Sequence, residues 1–385
     1  MNFKTSIVLL FISSLILFAC DNGKTSHEAI EYVPLNSITD IKYSKRFTIS
    51  YYENFKKVEV RAPWPNSVDT LFYIITSDSE VERKFRNRKN TSVFRPGPES
   101  VVCFSTTHLP YLEMINESNS LTGFPTTDYI YSKHFRQRVE EGHIQDMGPS
   151  NEINFESLLS LNPDMIFAFS MGDDLSMIHK IETSGIPVAL NADYLEDHPL
   201  GRAEWIKFIA AFYNKDAEAD SIFREIENTY IETRNTMSTL PGKPTVFTGV
   251  VYGDTWFMPG GNHYGARFFK DAGADYIWAN NESTSILQLS FESVYDRAGK
   301  ADFWIGTATY DTLQDIKNAD TRYADFTAYT SGNIYNYSAR MGPNGGNAYF
   351  ESGYARPDII LKDLAKIFHP GQMEDHQFYY FKKLY

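Results

Sequence analysis

A stretch of 23 residues, "KDAEADSIFREIENTYIETRNTM" at 215–237, places apolar side chains at Ala219, Ile222, Phe223, Ile226 and Tyr230. That i, i+3, i+4, i+7, i+11 spacing lies on one face only if the segment is a helix. At 1.5 Å per residue such a helix is roughly 35 Å long, enough to run across two lobes, and "LPGKP" stops it. On both sides of it the chain alternates short apolar runs with amphipathic ones. Before it come "SVVCFS", "LPYLEMINES", "LTGFPT", "NFESLLSLNP", "DMIFAFS", "LSMIHKIETSG" and "IPVALN". After it come "KPTVFTGVVY", "HYGARFFKDAGA", "FESVYDRAG", "ADFWIGTA" and "DIILKDLAKIF". Strand, helix, strand at this spacing means parallel strands with crossover helices, so the expected fold is α/β: two α/β lobes joined by one long interdomain helix.

The two series share a unit. Phe-Glu-Ser at 155–157 returns at 291–293, 136 residues on, each time followed by an apolar stretch, an Asp and a short strand. Asn154 and Ser290 stand where helix N-caps belong, and Glu156 and Glu292 fall in first turns, where the helix dipole favours a carboxylate. Capping accounts for one glutamate. It accounts less well for the same glutamate in both lobes, which points to a duplicated surface.

The start of the chain carries a second signal. Lys4 precedes the apolar run "IVLLFISSLILF", too short for a comfortable membrane span, and "LFAC" then ends in Cys20. This resembles a bacterial lipoprotein signal, which implies removal of residues 1–19 and lipidation of Cys20. Residues 20–39 then read as a flexible tether. Residues 40–97, with "RFTISYY", "KKVEVRA" and "TLFYIIT", read as a β-rich extension packed on one lobe, and "RKFRNRKN" at 83–90 as a solvated surface loop. With Cys20 acylated, Cys103 has no disulfide partner and reads as a small apolar residue of a buried strand. The expected boundaries are then 98–213 for the first lobe, 214–241 for the linker helix and 242–385 for the second lobe.

Two α/β lobes, one connecting helix and a lipoprotein start together resemble the helix-linked (class III) substrate-binding proteins of bacterial importers for ferric siderophores, haem and vitamin B12. The resemblance covers residues 98–385. It implies a ligand cleft between the lobes and one surface glutamate on each lobe that docks onto arginines of the two permease subunits. Those roles carry over to Glu156 and Glu292. The implied partners are an ABC permease dimer with its ATPase and a small-molecule metal chelate, with the membrane met through the lipid anchor alone and the protein itself a monomer.

In such a fold the ligand lies at the carboxyl ends of the strands, where loops converge. After the first lobe's strands the candidates are Ser105, Thr106 and Thr107, then Thr126, Tyr129 and Tyr131, then Ser170 and Met171. From the second lobe they are Tyr252, Trp256 and Met258, then Tyr264 and Arg267, then Thr309 and Tyr310. Arg340 and Tyr349 follow in the glycine-rich "YSARMGPNGGNAYFESGYARPD", with Arg356 beside Glu351 and Asp358. Aromatic side chains with polar tips suit a bulky, planar or greasy ligand. Arg340 and Arg356 could grip a carboxylate or an anionic chelate, with structural pairing to Glu351 or Asp358 as the alternative. Arg202 and Glu204 are expected to fix the first lobe to the linker.

Other classes fit less well. The formal charge of −13 and the lack of a basic stripe argue against nucleic acid. There is no Gly-x-Ser-x-Gly elbow, no His-Glu-x-x-His, and "GGNHYG" lacks the lysine of a phosphate loop. The nine histidines show no pair at metal-ligand spacing on one helix, so neither catalysis nor a metal or cofactor of its own is expected.

Overall fold

The computed structural model describes residues 33–35, 39–149 and 152–385, within a unit running from Pro34 to Tyr385. Cys20, the expected leader and most of the expected tether lie outside the described residues.

The chain first builds a sheet of its own. Strands β1 (Phe47–Tyr51), β2 (Lys56–Arg61), β3 (Thr70–Ile75) and β4 (Thr91–Phe94) pair in that order, with β3 and β4 parallel and the rest antiparallel. Alternate residues of β1, Phe47, Ile49 and Tyr51, are buried, as the period of a strand requires. The basic run differs from its reading as a loop. Its first residues finish the helix Ser79–Phe85, which Asp78 caps and which Val81 and Phe85 pin to the core. One apolar i, i+4 pair is too little periodicity to announce a helix.

The first lobe holds β5 (Val101–Cys103), β6 (Leu121–Phe124), β7 (Gln145–Asp146), β8 (Met165–Ala168) and β9 (Val188–Leu190), all parallel, in the order β7-β6-β5-β8-β9. Cys103 is buried in β5 and unpaired. The second lobe contributes β10 (Thr245–Thr248), β11 (Val251–Tyr252), β12 (Thr255–Pro259), β13 (Asp275–Tyr276), β14 (Ile286–Leu289), β15 (Phe303–Ile305), β16 (Ile334–Asn336) and β17 (Lys382–Lys383). Its main sheet runs β13-β10-β15-β16-β17, parallel except for β17. The four-strand order β6-β5-β8-β9 thus recurs as β13-β10-β15-β16. The antiparallel ribbon β11-β12-β14 and the edge strand β17 have no counterpart in the first lobe's sheet.

The repeated unit occupies the same place in both lobes. Helix Phe155–Leu161 leads into β8 and helix Phe291–Ala298 into β15. The aspartate ahead of each strand also does the same job. Asp164 accepts the backbone N–H of Glu99 and Ser100 at 2.8 and 3.0 Å, just before β5. Asp302 accepts the N–H and hydroxyl of Thr245 at 2.8 and 2.7 Å, where β10 begins. Each aspartate therefore ties the start of its own strand to that of the neighbouring one.

Between the lobes runs the helix Asp216–Ser238, with Ala219, Phe223, Ile226, Tyr230 and Met237 buried. It packs on Ile206–Phe212 of the first lobe and on Tyr264–Asp271 and Pro357–Phe368 of the second. Its buried carboxylates hold the N-terminal extension. Asp216 accepts from the Tyr51 hydroxyl at 2.9 Å and Lys56 Nζ at 2.5 Å, and Glu227 from the Tyr43 hydroxyl at 2.7 Å. Glu204 takes the backbone N–H groups of Lys42, Tyr43 and Ser44. The extension is a strap across the first lobe and the linker helix, and Glu204 is buttoned to that strap rather than to the linker.

Candidate ligand-binding cleft

In the first lobe the chain order reverses direction around β5, whose neighbours β6 and β8 leave in opposite directions; ligands of open α/β sheets collect beyond the carboxyl ends at such a point. A cleft of about 310 Å³ lies there. Its first-lobe wall is Phe104, Ser105 and Thr106 after β5, Phe124, Pro125, Thr126 and Tyr129 at the end of β6, and Phe169 after β8. Its second-lobe wall is the segment Gly345, Gly346, Asn347 and Phe350.

Local chemistry sets each polar group. Ser105 caps the turn that follows β5, accepting from the backbone N–H of Thr107, and its hydroxyl lies 3.0 Å from that of Thr107. Thr126 has φ +50°, a left-handed backbone that a β-branched residue rarely adopts and that costs about 1–3 kcal/mol. It is held by Thr127, whose N–H and hydroxyl both bond Asp146 at 2.7 Å. Burial tends to raise the Asp146 carboxyl, but these bonds outweigh it and hold the pKa below the usual carboxylate value. Gly346 meets the backbone of Tyr129 and Ile130 so closely that an added Cβ would lie 2.8 Å from the Tyr129 carbonyl oxygen. Only glycine lets the second-lobe loop approach there.

Two further contacts join the lobes beside the cleft. The buried carboxylate of Glu351 accepts the backbone N–H of Tyr131 at 2.7 Å and of Ser132 at 2.9 Å. Burial pushes its pKa up to about 7. Arg202, buried in the first lobe, puts its guanidinium 3.4 Å from the ring centre of Tyr264 and 4.5 Å from that of Tyr354. It also donates to the carbonyls of Tyr194 and Glu196. Asp193 beside it is pushed up to about 6 by burial, with Arg202 opposing.

Of the residues the sequence put forward, Ser105, Thr106, Thr126 and Tyr129 come together in this cleft. Met171 is exposed on the loop after Phe169, whereas Ser170 is buried and its hydroxyl is spent on the Gly172 carbonyl. Tyr131 is half-buried and serves the Glu351 contact through its backbone. Tyr252 is exposed on the ribbon strand β11, and Arg267 is exposed on the helix Tyr264–Asp271. Tyr310 turns its backbone carbonyl to Thr307 and Asn336. Tyr349 stacks on Tyr337 at 4.9 Å. Arg340 lies 4.1 Å from the ring centre of Tyr379, and Arg356 pairs with Asp358 at 2.8 Å.

Trp256 is a correction. It has no exposed surface, packs among Phe247, Trp304, Tyr323 and Phe326, and donates its indole N–H to the Thr248 carbonyl. It belongs to the second lobe's core, because β12 turns back as a ribbon and presents that face inward. Phe104, Phe124, Phe169, Phe350 and Asn347 line the cleft as well, beyond the residues the sequence put forward. The signal was there: a phenylalanine ends or immediately follows each of β5, β6 and β8.

The repeated glutamates are not the caps of their helices. Asn154 and Ser290 accept the N3 backbone N–H groups instead. Glu156 is exposed and makes no ion pair among the described residues. Glu292 is exposed too, but Arg322 reaches it at 3.2 Å while holding Asp320 and lying 3.9 Å from the Phe291 ring centre. Among the described residues no group of three or more His, Cys, Asp or Glu could hold a metal ion.

An uncharacterized lipoprotein of Methanocaldococcus jannaschii is 28% identical to this chain, over 98% of it and 95% of its own length, so the likeness takes in the N-terminal sheet. Two solved structures are similar in fold. The periplasmic heme-binding protein RhuT from Roseiflexus sp. RS-1 matches with a TM-score of 0.57 and 16% identity, over 71% of this chain and 99% of that one. The periplasmic vitamin B12 binding protein BtuF of Vibrio cholerae matches with a TM-score of 0.52 and 14% identity, over 71% and 98%. Residues 101–341, from β5 through β16, match the model of the periplasmic binding protein family, and the chain belongs to that family.

Proposed function

We propose that this protein is the lipid-anchored substrate-binding component of an ABC importer, capturing a metal chelate and delivering it to a two-subunit permease. Iron complexes come first and cobalamin second. The observation that carries the reading is the aromatic and hydroxyl-lined cleft at the switch point of the first lobe, closed on its far side by a second-lobe loop. The heme- and vitamin B12-binding names of two proteins of similar fold support it. Equilibrium dialysis against hemin, cyanocobalamin and an uncharged ferric trihydroxamate is the test. At least one is expected to bind saturably; binding of none would overturn the reading. The anchor is assigned to Cys20, and incorporation of labelled fatty acid should vanish in Cys20→Ser.

Docking on the permease is assigned to Glu156 and Glu292. Close interfacial charge pairs couple by about 1.5–7 kcal/mol, while exposed pairs within a protein contribute roughly 0–1. Glu156→Gln and Glu292→Gln should therefore leave melting temperature nearly unchanged and weaken association with permease in nanodiscs. Because Arg322 already holds Glu292, the change at Glu156 is expected to be the larger, and the double variant weaker than either. Undiminished association of the double variant would return both glutamates to the role of ordinary helix-start carboxylates.

A further inference from the structure

We propose that the cleft selects ligands without net negative charge, admitting uncharged or cationic chelates and discriminating against anionic ones. This rests on the reading of the cleft as the ligand site and narrows what fills it. Among the described residues no Arg, Lys or His lines the cleft. Its polar groups are hydroxyls, the Asn347 amide and backbone, which hydrogen-bond a ligand without neutralising it.

Of the arginines that could have supplied a counter-charge, Arg267 is exposed on the helix Tyr264–Asp271 and is not among the residues lining the cleft, and the others are committed elsewhere. Arg202 is buried against the rings of Tyr264 and Tyr354. Arg340 donates to the Tyr379 carbonyl and lies over that ring. Arg356 makes a two-pronged pair with Asp358. Of the first two Lys or Arg residues that follow the β6 loop, Arg136 is spent on the Thr127 carbonyl and lies 3.9 Å from Asp128, and Lys133 is exposed but is not among the residues lining the cleft.

The surroundings are acidic. Asp128 is exposed and bonded to the Asn344 amide of the second-lobe loop, Asp146 is kept ionised by Thr127, and Asp173 and Asp174 are exposed on the loop that follows Met171. The whole chain carries a formal charge of −13. An anion entering would exchange its hydration for aromatic rings and neutral dipoles, with like charge at the rim. An uncharged chelate of the same size loses nothing comparable, and a cationic one is drawn in.

The test compares three ferric complexes of similar size by calorimetry at low salt: an uncharged trihydroxamate, a cationic trihydroxamate and a trianionic tris-catecholate. The uncharged or the cationic complex is expected to bind at least about 100-fold tighter than the trianion, since like charges set against one another are strongly disfavoured. The gap should narrow with salt. Tyr129→Arg, which adds a guanidinium at an exposed position of the cleft wall, is expected to raise affinity for the trianion by about 10-fold or more. Binding of the trianion as tight as or tighter than that of the other two would overturn the charge selection and leave the transport reading standing. If no complex binds, and hemin and cyanocobalamin do not either, both fall together.

Discussion

Replacing Glu204 with alanine is expected to destabilise the protein by about 3–5 kcal/mol, the usual cost of removing one partner of a buried, hydrogen-bonded charge pair. Glu204 has no exposed surface. Its carboxylate takes three consecutive backbone N–H groups, those of Lys42, Tyr43 and Ser44, at 2.9, 2.8 and 2.8 Å. On its other side lies Lys207 at 3.3 Å, itself 1% exposed. The alanine variant would orphan three donors and leave Lys207 to Asp220 and the Asp40 carbonyl alone. Denaturant melts measure the loss, and hydrogen exchange at residues 42–44 should rise with it. A loss under about 1 kcal/mol would show that Glu196, Glu227 and Asp216 hold the strap without it.

The case of Glu204 shows where sequence reasoning stopped. The linker helix, the two strand series and the repeated unit were legible because each rests on periodicity or repetition, which a single sequence displays. The strap was not. Its function as a clamp depends on Glu196 and Glu204, 150–162 residues away, finding the backbone of 42–46 and on Glu227 finding the side chains of Lys42 and Tyr43, and nothing local marks a glutamate as the acceptor of such distant donors. The cleft was half legible for a similar reason. Hydroxyls at strand ends were found, but Trp256 was placed with them because an aromatic near a strand end reads the same whether it faces a ligand or the core. The ribbon β11-β12-β14, which turns it inward, is built of short runs that mimic the continuation of a parallel strand. The phenylalanines that do line the cleft carry no polar tip, so apart from their recurrence at strand ends nothing in the sequence alone marks them as ligand contacts.

Glu351 yields the prediction with the clearest dependence on pH. It reaches from the second lobe to the backbone of Tyr131 and Ser132 in the first, and the group facing it there is Glu113, which accepts from the Ser132 hydroxyl at 2.5 Å. Burial is the main cause of its raised pKa, and Glu113 adds to it, while the two backbone N–H groups oppose. With a folded value of about 7 against an ordinary 4.5, the native state binds this proton more tightly than the unfolded chain does. Its contribution to stability is therefore full below pH 4.5 and is lost as pH rises toward 7, by up to roughly 3 kcal/mol. The same sign applies to parting the lobes: acid favours the joined state, and ionisation in water favours separation. Glu351→Gln fixes the side chain neutral and removes the slope, so the variant should gain on the parent protein as pH climbs from 5 to 8, whatever constant offset its poorer acceptor geometry adds. Parallel stability curves across that range would mean that Glu351 titrates normally, and that the contact between the lobes is indifferent to protons.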